Sequence, residues 1–310
     1  MNFEIAQLAA LEAAVSEGTF EAAARRLRVT PSAVSQRIKA LETSVGRVLL
    51  QRSKPIEPTD SGRVILRFAR QIDALGDDVS RGLGEEGAPR IRMPIAVNAD
   101  SLATWILPAL APLAAEISFD FHREDQNHTL SLLRDGTAMA AITGVAEPVQ
   151  GCSSTPLGSM RYRPMANRAF AARWFGEALD ARDAPDARDA PDAPAEPFAH
   201  APVVIFDRRD DLQDAVLRRR AERSGVVVNP PRHHVPASVD FVEAVRLGFG
   251  WGMVPELQAD GLDDLVLIDP HVTIDVPLYW QQWQLHTPSL ERVAATIRGA
   301  AAEALRPLAP

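Results

Sequence analysis

The chain has 310 residues, of which 46% are hydrophobic and 24% are charged. This composition excludes a wholly disordered chain and is typical of a soluble globular protein with two or three cores. No apolar run approaches the ~20 residues that span a bilayer, and the start of the chain has acidic residues where a signal peptide needs basic ones. The sequence therefore predicts a cytoplasmic protein without a membrane partner.

Charge is distributed unevenly along the chain. The formal net charge is −8, but residues 1–84 hold 12 Arg or Lys against 10 Asp or Glu, which gives +2 there and −10 for the remainder. This asymmetry favours a nucleic-acid-binding head attached to an acidic body. The single cysteine, Cys152, has no partner for a disulfide or for a structural zinc site, so neither is predicted.

Three short helices are predicted in the head. Apolar residues recur at helical spacing from residue 8 to residue 15, and Gly18 ends this stripe. Thr19 is placed to cap a second helix. Thr30 is placed to cap a third, which has Pro31 at its first position, where the missing N–H costs nothing.

The third helix divides its side chains between two roles. Val34, Ile38 and Leu41 recur at spacings of four and three, so they pack inward. The other faces carry hydroxyl, amide and basic groups: Ser32, Ser35, Gln36, Arg37 and Lys39. Hydroxyl and amide groups read base edges in the major groove, and Arg and Lys neutralise phosphates. The pattern favours a recognition helix, although an ordinary amphipathic surface helix has the same spacing.

The stretch AARRLRVTPSAVSQRIKALETSVGRVLLQR, Ala23 to Arg52, resembles the winged helix-turn-helix of LysR-type transcriptional regulators. Leu50 stands where most members have Phe, and the arginine- and lysine-responsive branch of the family (ArgP or LysG type) is similar there. The resemblance implies a winged helix-turn-helix DNA-binding domain over residues 1–58, with RSKPIEPTDSG as the wing. The residues that it implies at a pseudo-palindromic operator in double-stranded DNA are Thr30, Pro31, Ser32, Ser35, Gln36, Arg37, Lys39, Arg52 and Lys54.

A long amphipathic helix is predicted over residues 59–84, with Thr59 as its cap. Apolar residues repeat along it at spacings of three and four, as in a heptad seam: Ile65, Phe68, Ile72, Leu75 and Val79. Packing of this seam against its own domain is one interpretation. The family resemblance implies instead a dimerising linker helix, so a homodimer or homotetramer is expected.

Strand and helix patterns alternate after a hinge at residues 85–91. IRMPIAVNAD and ISFDFHRED are typical of strands, and SLATWILPALAPLA is typical of the helix between them. The alternation continues to the end and predicts an α/β fold with a parallel sheet. We expect an effector-binding domain over residues 92–304, with lobe I at about 92–161 and 268–304 and lobe II at about 162–267. The segment Asp180–Pro197, rich in Asp, Ala and Pro, is predicted to be a mobile loop.

Ligands of open α/β folds bind where strands end and helices begin. Asn98 ends a strand, and Asp100 or Ser101 opens the next helix, whose N–H groups and dipole attract a carboxylate. Simple helix capping by either residue is an equal interpretation. Asp125 follows the next strand and can pair with an ammonium group, although a solvated acidic loop also fits.

Several body segments, among them VNADSLATW, GCSSTPLGSMRY and VEAVRLGFGWGMVPELQ, are similar to the effector domain of the same LysR-type branch. This resemblance implies a two-lobed, periplasmic-binding-protein-like α/β domain that senses lysine, arginine or histidine. The expected function is a transcriptional regulator that acts with RNA polymerase at the promoter of a basic amino acid exporter. The effector-binding residues are expected to be Ser101, Thr104, Trp105, Asp125, His128, Phe206, Asp207, Asp210, Ser238 and Phe241.

Two other functions stay open from the sequence. P-loop, HExxH and GxSxG motifs are missing, and the adjacent His233 and His234 would point to opposite sides of a strand, so no cofactor, metal or catalytic residue is predicted. An enzyme that uses Ser101 with a distant His and Asp is conceivable. A nucleoid-type protein that binds DNA through phosphates, with little sequence specificity, would leave the large body unexplained.

Overall fold

The computed structural model describes residues 3–51, 53–83, 90–123, 126–176, 179–180, 195–225 and 228–308. Its helices are α1 (Ile5–Glu17), α2 (Phe20–Leu27), α3 (Pro31–Val45), α4 (Asp60–Gly82), α5 (Ala99–Ser101), a π-helical turn (Leu102–Ile106), α6 (Leu107–Leu110), a 3₁₀ turn (Ala111–Leu113), α7 (Gln126–Arg134), α8 (Arg168–Phe175), α9 (Ala195–His200), α10 (Leu212–Ser224), α11 (Ser238–Arg246), α12 (Glu256–Ala259) and α13 (Pro288–Ala304). Its strands are β1 (Leu50–Gln51), β2 (Glu57–Pro58), β3 (Ile91–Val97), β4 (Ile117–Arg123), β5 (Ala140–Thr143), β6 (Cys152–Asn167), β7 (Leu179–Asp180), β8 (Val203–Ile205), β9 (Arg232–His234), β10 (Gly252–Pro255), β11 (Leu265–Leu267) and β12 (Ile274–Trp283). Within these ranges, no helix has both the length and the hydropathy that crossing a membrane requires.

The chain folds as two compact units, and β6 and β12 contribute residues to both. The first unit consists of Met1–Val97, Pro112–Thr155 and Tyr279–Ala295, and the second of Asn98–Ala111, Pro156–Leu278 and Thr296–Pro310. The boundaries expected for the head, linker and lobes stay predictions.

In the first unit, α1, α2 and α3 pack around a shared apolar core with the start of α4. The side chains of Thr19, Thr30 and Thr59 each accept a hydrogen bond from the backbone N–H three residues later, at 3.1, 3.2 and 3.0 Å. These bonds confirm the three predicted helix caps. β1 and β2 form an antiparallel pair, in which Leu50 lies opposite Pro58. The core includes Leu8, Leu11, Val34, Ile38, Leu41, Leu49 and Leu66.

The linker helix α4 has an inner and an outer apolar side. Leu66 and Ala69 are buried in the head core, and Ile65 and Ile72 pack against the same core. Ile65 and Ile72 therefore fit the interpretation of packing against their own domain, because the 3.6-residue turn places them beside the inner residues, and the dimerising seam stays a prediction. The outer side keeps exposed apolar residues, which we call the α4 stripe: Val64, Phe68, Leu75, Val79 and Leu83.

The sheet of the first unit is mixed. β3 runs parallel to β4 and to β5, and β12 pairs with β5 in the antiparallel direction. The predicted strand–helix order is confirmed for β3, β4 and β5. The predicted parallel direction is wrong for β12, because alternation of apolar strands and helices along a sequence does not specify strand direction.

The second unit is built mainly from antiparallel pairs. β10 and β11 pair with β6, and β7 pairs with β11, all antiparallel, whereas β8 and β9 are parallel. The expected parallel sheet is therefore wrong for most of this unit. Trp251 is fully buried, and a Cβ on Gly252 would lie 2.7 Å from the Phe241 ring, so this glycine permits close packing.

Most of the predicted mobile loop Asp180–Pro197 lies outside the described residues, as do hinge residues 85–89. Phe175 and Phe198 flank the loop, and their rings meet edge to face with centroids 4.9 Å apart. Phe198 also packs edge to face on Trp251 at 5.2 Å. The residues on both sides of the loop are therefore anchored in the core of the second unit.

Candidate functional site

The helix α3 exposes most of the polar residues predicted to contact DNA. Its inner face is apolar and buried. The exposed members of the predicted set are Thr30, Pro31, Ser32, Ser35, Gln36, Lys39 and Lys54. Arg37 is half-buried, and Arg52 lies outside the described residues. The helix thus offers hydroxyl, amide and ammonium groups to a partner, the mixture that reads base edges and neutralises phosphates.

Glu42 holds the β1–β2 wing against α3. The Leu49 N–H donates to Glu42 Oε1 at 2.8 Å, just before β1 begins. Lys54 lies in the loop between β1 and β2. A half-buried anchor near the end of α3 therefore fixes the wing that carries this lysine.

We expect substitutions of Gln36 and Lys39 to have different effects on DNA binding. If Gln36 reads a base, Gln36→Ala should cost about 1–3 kcal/mol on the preferred base pair and relax the preference there. If Lys39 contacts a phosphate, Lys39→Ala should weaken all sequences about equally and reduce the log–log salt slope by about 1. Anisotropy titrations with operator and scrambled DNA at several salt concentrations measure both. The same loss from both substitutions on both DNAs would contradict this assignment.

In the second unit, Asp100 is the centre of a side-chain hydrogen-bond network. Tyr162 Oη donates to Asp100 Oδ2 at 2.6 Å, and Ser238 Oγ donates to Asp100 Oδ1 at 2.6 Å. Gln258 Nε2 donates in turn to Ser238 Oγ. These four residues, the Asp100 network, hold the carboxylate in place. Each carboxylate oxygen keeps a further lone pair for another donor.

The helix that begins beside Asp100 has polar groups that lack a protein partner. Within the described part of the chain, Asn98 Oδ1, Ser101 Oγ and Trp105 Nε1 are buried and make no hydrogen bond. Asn98 stands at the N-cap, but its side chain does not cap the helix. Buried polar groups are nearly always satisfied, and an exception often marks a place for a ligand or water. The following π-helical turn, a feature frequent at functional sites, points the same way.

Asp207 and Asp210 are held by backbone N–H groups. Asp207 Oδ1 accepts from the N–H groups of Arg209 and Asp210, at 2.7 and 2.9 Å. Asp210 accepts from the Leu212 N–H at 3.0 Å and from the Phe206 N–H at 3.3 Å. The loop after β8 therefore orients both carboxylates.

Electrostatics link Asp210 to the Asp100 network. Burial raises the pKa of Asp210, the Leu212 and Phe206 N–H bonds lower it, and the carboxylates of Asp100 and Asp207 raise it. Burial, and then Asp100, raise the pKa of Tyr162 well above its ordinary value, so its phenol stays a donor. The acidic charges of this region repel one another, and a bound cation would relieve that repulsion.

The other residues predicted to bind an effector have varied placements. Thr104 Oγ1 donates to the Asp100 backbone oxygen at 2.7 Å, and Phe206 is half-buried. Phe241 is buried in the core of the second unit. Asp125 and the side chain of His128 lie outside the described residues. The structure thus brings Ser101, Asp210 and Ser238 into or beside the Asp100 network, whereas Phe241 lies in the packed interior.

Sequence reasoning treated Asp100 as a helix cap and missed its hydrogen-bonding role, and it missed Tyr162 and Gln258. Tyr162 lies on β6 and Gln258 on α12, far from Asp100 along the chain. No spacing rule joins three positions on separate elements. A clue was present in Asp100 itself, because an acid beside the start of a helix at a strand end is a common ligand-site position.

A surface groove of about 440 Å³ borders the same helix and shares Gln258 with the Asp100 network. Its lining includes Val242, Leu257 and Leu262, together with Glu243 and Arg246. The carboxylate of Glu243 already pairs with Arg246 at 2.9 Å. The Asp100 network therefore fits a cationic ligand better than this groove does.

Comparison with known proteins gives matches over nearly the whole chain. A family model described as bacterial regulatory helix-turn-helix protein, lysR family, matches residues 5–63. The HTH-type transcriptional regulator LysG of Mycobacterium tuberculosis is 43% identical over 300 residues, or 95% of this chain and 92% of that protein. The lysine export transcriptional regulatory protein LysG of Corynebacterium glutamicum is 38% identical over 307 residues, or 97% of this chain and 99% of that protein.

Two solved structures resemble the fold over its full length. The crystal structure of ArgP from Mycobacterium tuberculosis has a TM-score of 0.84 and 41% identity, and the match covers 99% of this chain and 100% of that one. Full-length LysG from Corynebacterium glutamicum with bound effector Arg has a TM-score of 0.76 and 37% identity, with the same coverage. The similarity therefore includes the body as well as the head.

Proposed function

Because the chain belongs to the LysR family of bacterial transcriptional regulators, we propose that it senses arginine or lysine and regulates a promoter through its winged helix-turn-helix. The observation that carries the proposal of a basic effector is the Asp100 network, next to a helix start whose polar groups lack protein partners. The relatives are named as transcriptional regulators, so the enzyme interpretation is set aside.

A basic amino acid has a carboxylate and a cationic side chain, and the site has a group for each. The uncapped helix start and the Ser101 hydroxyl suit the α-carboxylate. Asp100 and Asp210 suit a guanidinium or ammonium group, since charge-assisted bonds to a carboxylate are among the stronger hydrogen bonds in proteins. Binding would also satisfy the unpaired Ser101 hydroxyl.

The relatives suggest what the effector controls. One of them is named for lysine export, and a related structure holds arginine. We therefore propose a target promoter upstream of a basic amino acid exporter, contact with RNA polymerase there, and a dimer or tetramer on a pseudo-palindromic operator. Two heads on one duplex would occupy half-sites spaced by about one helical turn or a multiple of it, ~34 Å. A nucleoid-type protein that binds DNA with little sequence specificity would not explain why the body contains the Asp100 network.

Calorimetric titration with four ligands tests the proposed effector. L-arginine and L-lysine should bind, L-norleucine should fail because it lacks the side-chain cation, and agmatine should bind more weakly because it lacks the carboxylate. Binding of norleucine with the affinity of lysine would remove the acidic residues from the recognition scheme. A flat response to all four would remove the effector proposal.

Effector binding should weaken as the pH falls. The folded-state pKa of Asp210 is raised, so protonation on acidification removes a negative charge from the site while arginine keeps its own charge. We expect the affinity for L-arginine to drop as the pH falls through the raised folded-state pKa of Asp210, with proton release on binding around that pKa. Asp210→Asn should bind less tightly at the higher pH and flatten the profile. An unchanged profile in Asp210→Asn would exclude Asp210 as its source.

A further inference from the structure

Arg67 of α4 makes contacts that neither the DNA-binding surface nor the Asp100 network explains. Arg67 Nη1 donates to the Gln150 carbonyl at 2.7 Å, and Nη2 donates to the Gly151 carbonyl at 3.0 Å. Nη2 also lies 3.6 Å from Cys152 Sγ, at the start of β6. A planar guanidinium that donates to two successive carbonyls fixes both its position and its orientation. The linker helix is thus tied to the turn before β6.

Arg70, three residues further along α4, makes a second attachment. Its Nη1 donates to the Asp135 carbonyl at 3.2 Å and to Thr137 Oγ1 at 3.1 Å, in the turn after α7. Burial lowers the pKa of Arg70, and the carboxylates of Glu12 and Asp135 raise it. Glu12, buried in α1, pairs with Arg26 of α2 at 2.8 Å. Arg70 therefore lies where the head, the linker helix and the body meet.

Two glycines let α4 approach these turns closely. Both Gly136 and Gly151 have positive φ, 79° and 74°. A Cβ on Gly136 would lie 2.8 Å from Arg67 Cα, and a Cβ on Gly151 would lie 2.9 Å from Arg67 Nη2. A side chain at Gly136 would displace the helix backbone itself. The contact therefore depends on close packing as well as on the charged hydrogen bonds of the two arginines.

We propose that Arg67 and Arg70 form a latch that holds the linker helix against the body and transmits the state of the effector site to the head. All the latch contacts lie within the first unit. The existence of the latch does not depend on the effector, but its role in transmission rests on the proposed function.

The chain supplies a direct connection from the effector site to the latch. The turn that Arg67 binds leads into β6, and β6 carries Tyr162 of the Asp100 network. A ligand that binds Asp100 competes with Tyr162 for the Asp100 carboxylate and so alters the hydrogen bond between these two residues. A resulting shift of β6 would move the carbonyls to which Arg67 donates. Transmission requires that the effector favour one of two latch states, because equal affinity for both shifts nothing.

Hydrogen exchange of the full chain, with and without L-arginine, tests the latch. The two variants are Arg67→Ala and Arg67→Lys. The lysine keeps the positive charge but lacks the paired N–H donors of the guanidinium. The matched control is Arg63→Ala, since Arg63 lies one turn earlier on α4 and bonds to Pro58 and Asp60 of its own segment. Ligand-free exchange at the end of α4 and in the turns at residues 135–137 and 150–152 should speed up by about tenfold or more in both Arg67 variants, and not in the control.

The response to L-arginine separates the latch from the proposed function. Calorimetry should give Arg63→Ala the native affinity for L-arginine and both Arg67 variants a changed affinity, because a ligand that favours one latch state responds to the loss of the latch. L-arginine should change α4 exchange in the native protein and in Arg63→Ala, and leave it unchanged in both Arg67 variants. Equal ligand-free exchange in the Arg67 variants and the control would overturn the latch, and an equal L-arginine response in all four would overturn transmission through it. If neither L-arginine nor L-lysine binds any of the proteins, the proposed function fails, and the proposed transmission fails with it. The ligand-free exchange rates would still show whether Arg67 holds α4 against the body.

Discussion

Asp100→Asn should weaken the binding of L-arginine and L-lysine at least ~30-fold, because it removes the carboxylate charge that pairs with the ligand's cation in the proposed complex. The amide oxygen still accepts a hydrogen bond from Tyr162 or Ser238, so the fold should persist. Calorimetric titration measures the loss, and a melting curve checks the fold. Affinity for operator DNA without effector should not change, because α3 and the wing lie far along the chain in the other unit.

Asp240→Asn is the matched control for this substitution. Asp240 is an exposed acid on α11, two residues after Ser238, so the variant removes the same charge near the same element. Its effect on L-arginine binding should be small because exposed charges are screened by solvent. If both variants lose the same affinity, the acidic body attracts the ligand in a general way and Asp100 is not its partner.

Val79→Asp should lower the affinity for a two-half-site operator by roughly 100- to 10,000-fold, because two linked heads bind one duplex far more tightly than one head does. Val79 is 61% exposed in the single chain and belongs to the α4 stripe, whose members lie on one side of the helix at spacings of four and seven residues. A charge placed in such a seam disfavours helix pairing. Sedimentation analysis should show a shift toward monomer, and anisotropy titration should show the loss of affinity.

Ser80→Asp introduces the same charge one residue along α4 and outside the α4 stripe. It should leave both the oligomeric state and the operator affinity near those of the native protein. Affinity for a single half-site should be the same in all three proteins, since the head itself is untouched. A monomeric native protein, or Val79→Asp that stays dimeric with full operator affinity, would rule out the stripe as the dimer contact.

Local features of the head followed from the sequence because their causes are local. A threonine oxygen caps a helix through a backbone N–H three residues away, so Thr19 and Thr30 were identifiable by position alone. The inner face of α3 followed from the helical period of Val34, Ile38 and Leu41. The family resemblance then extended this local pattern to the wing and the body.

Features that depend on contacts between distant segments did not follow from the sequence. Asp100 lies 62 residues from Tyr162 and 138 from Ser238, and nothing in the spacing indicates that they meet. Strand direction in the second unit and the inward position of Ile72 are set by tertiary packing in the same way. The latch at Arg67 could not be predicted either, because Arg67 donates to backbone carbonyls, which every residue has whatever its type.

The central claim is that a basic amino acid, recognised by its side-chain charge, controls how this regulator binds DNA. Footprinting of the full chain on an operator duplex selected by the protein from random DNA, with L-lysine or L-norleucine, tests it most directly. The two ligands have similar side chains apart from the terminal ammonium group, so a difference between them reports recognition of the cation. We expect L-lysine to change the extent or pattern of protection and L-norleucine to leave it as it is without ligand, with L-arginine acting as lysine does. Identical footprints with L-lysine, with L-arginine and without ligand, or the same change from L-norleucine, would contradict the account.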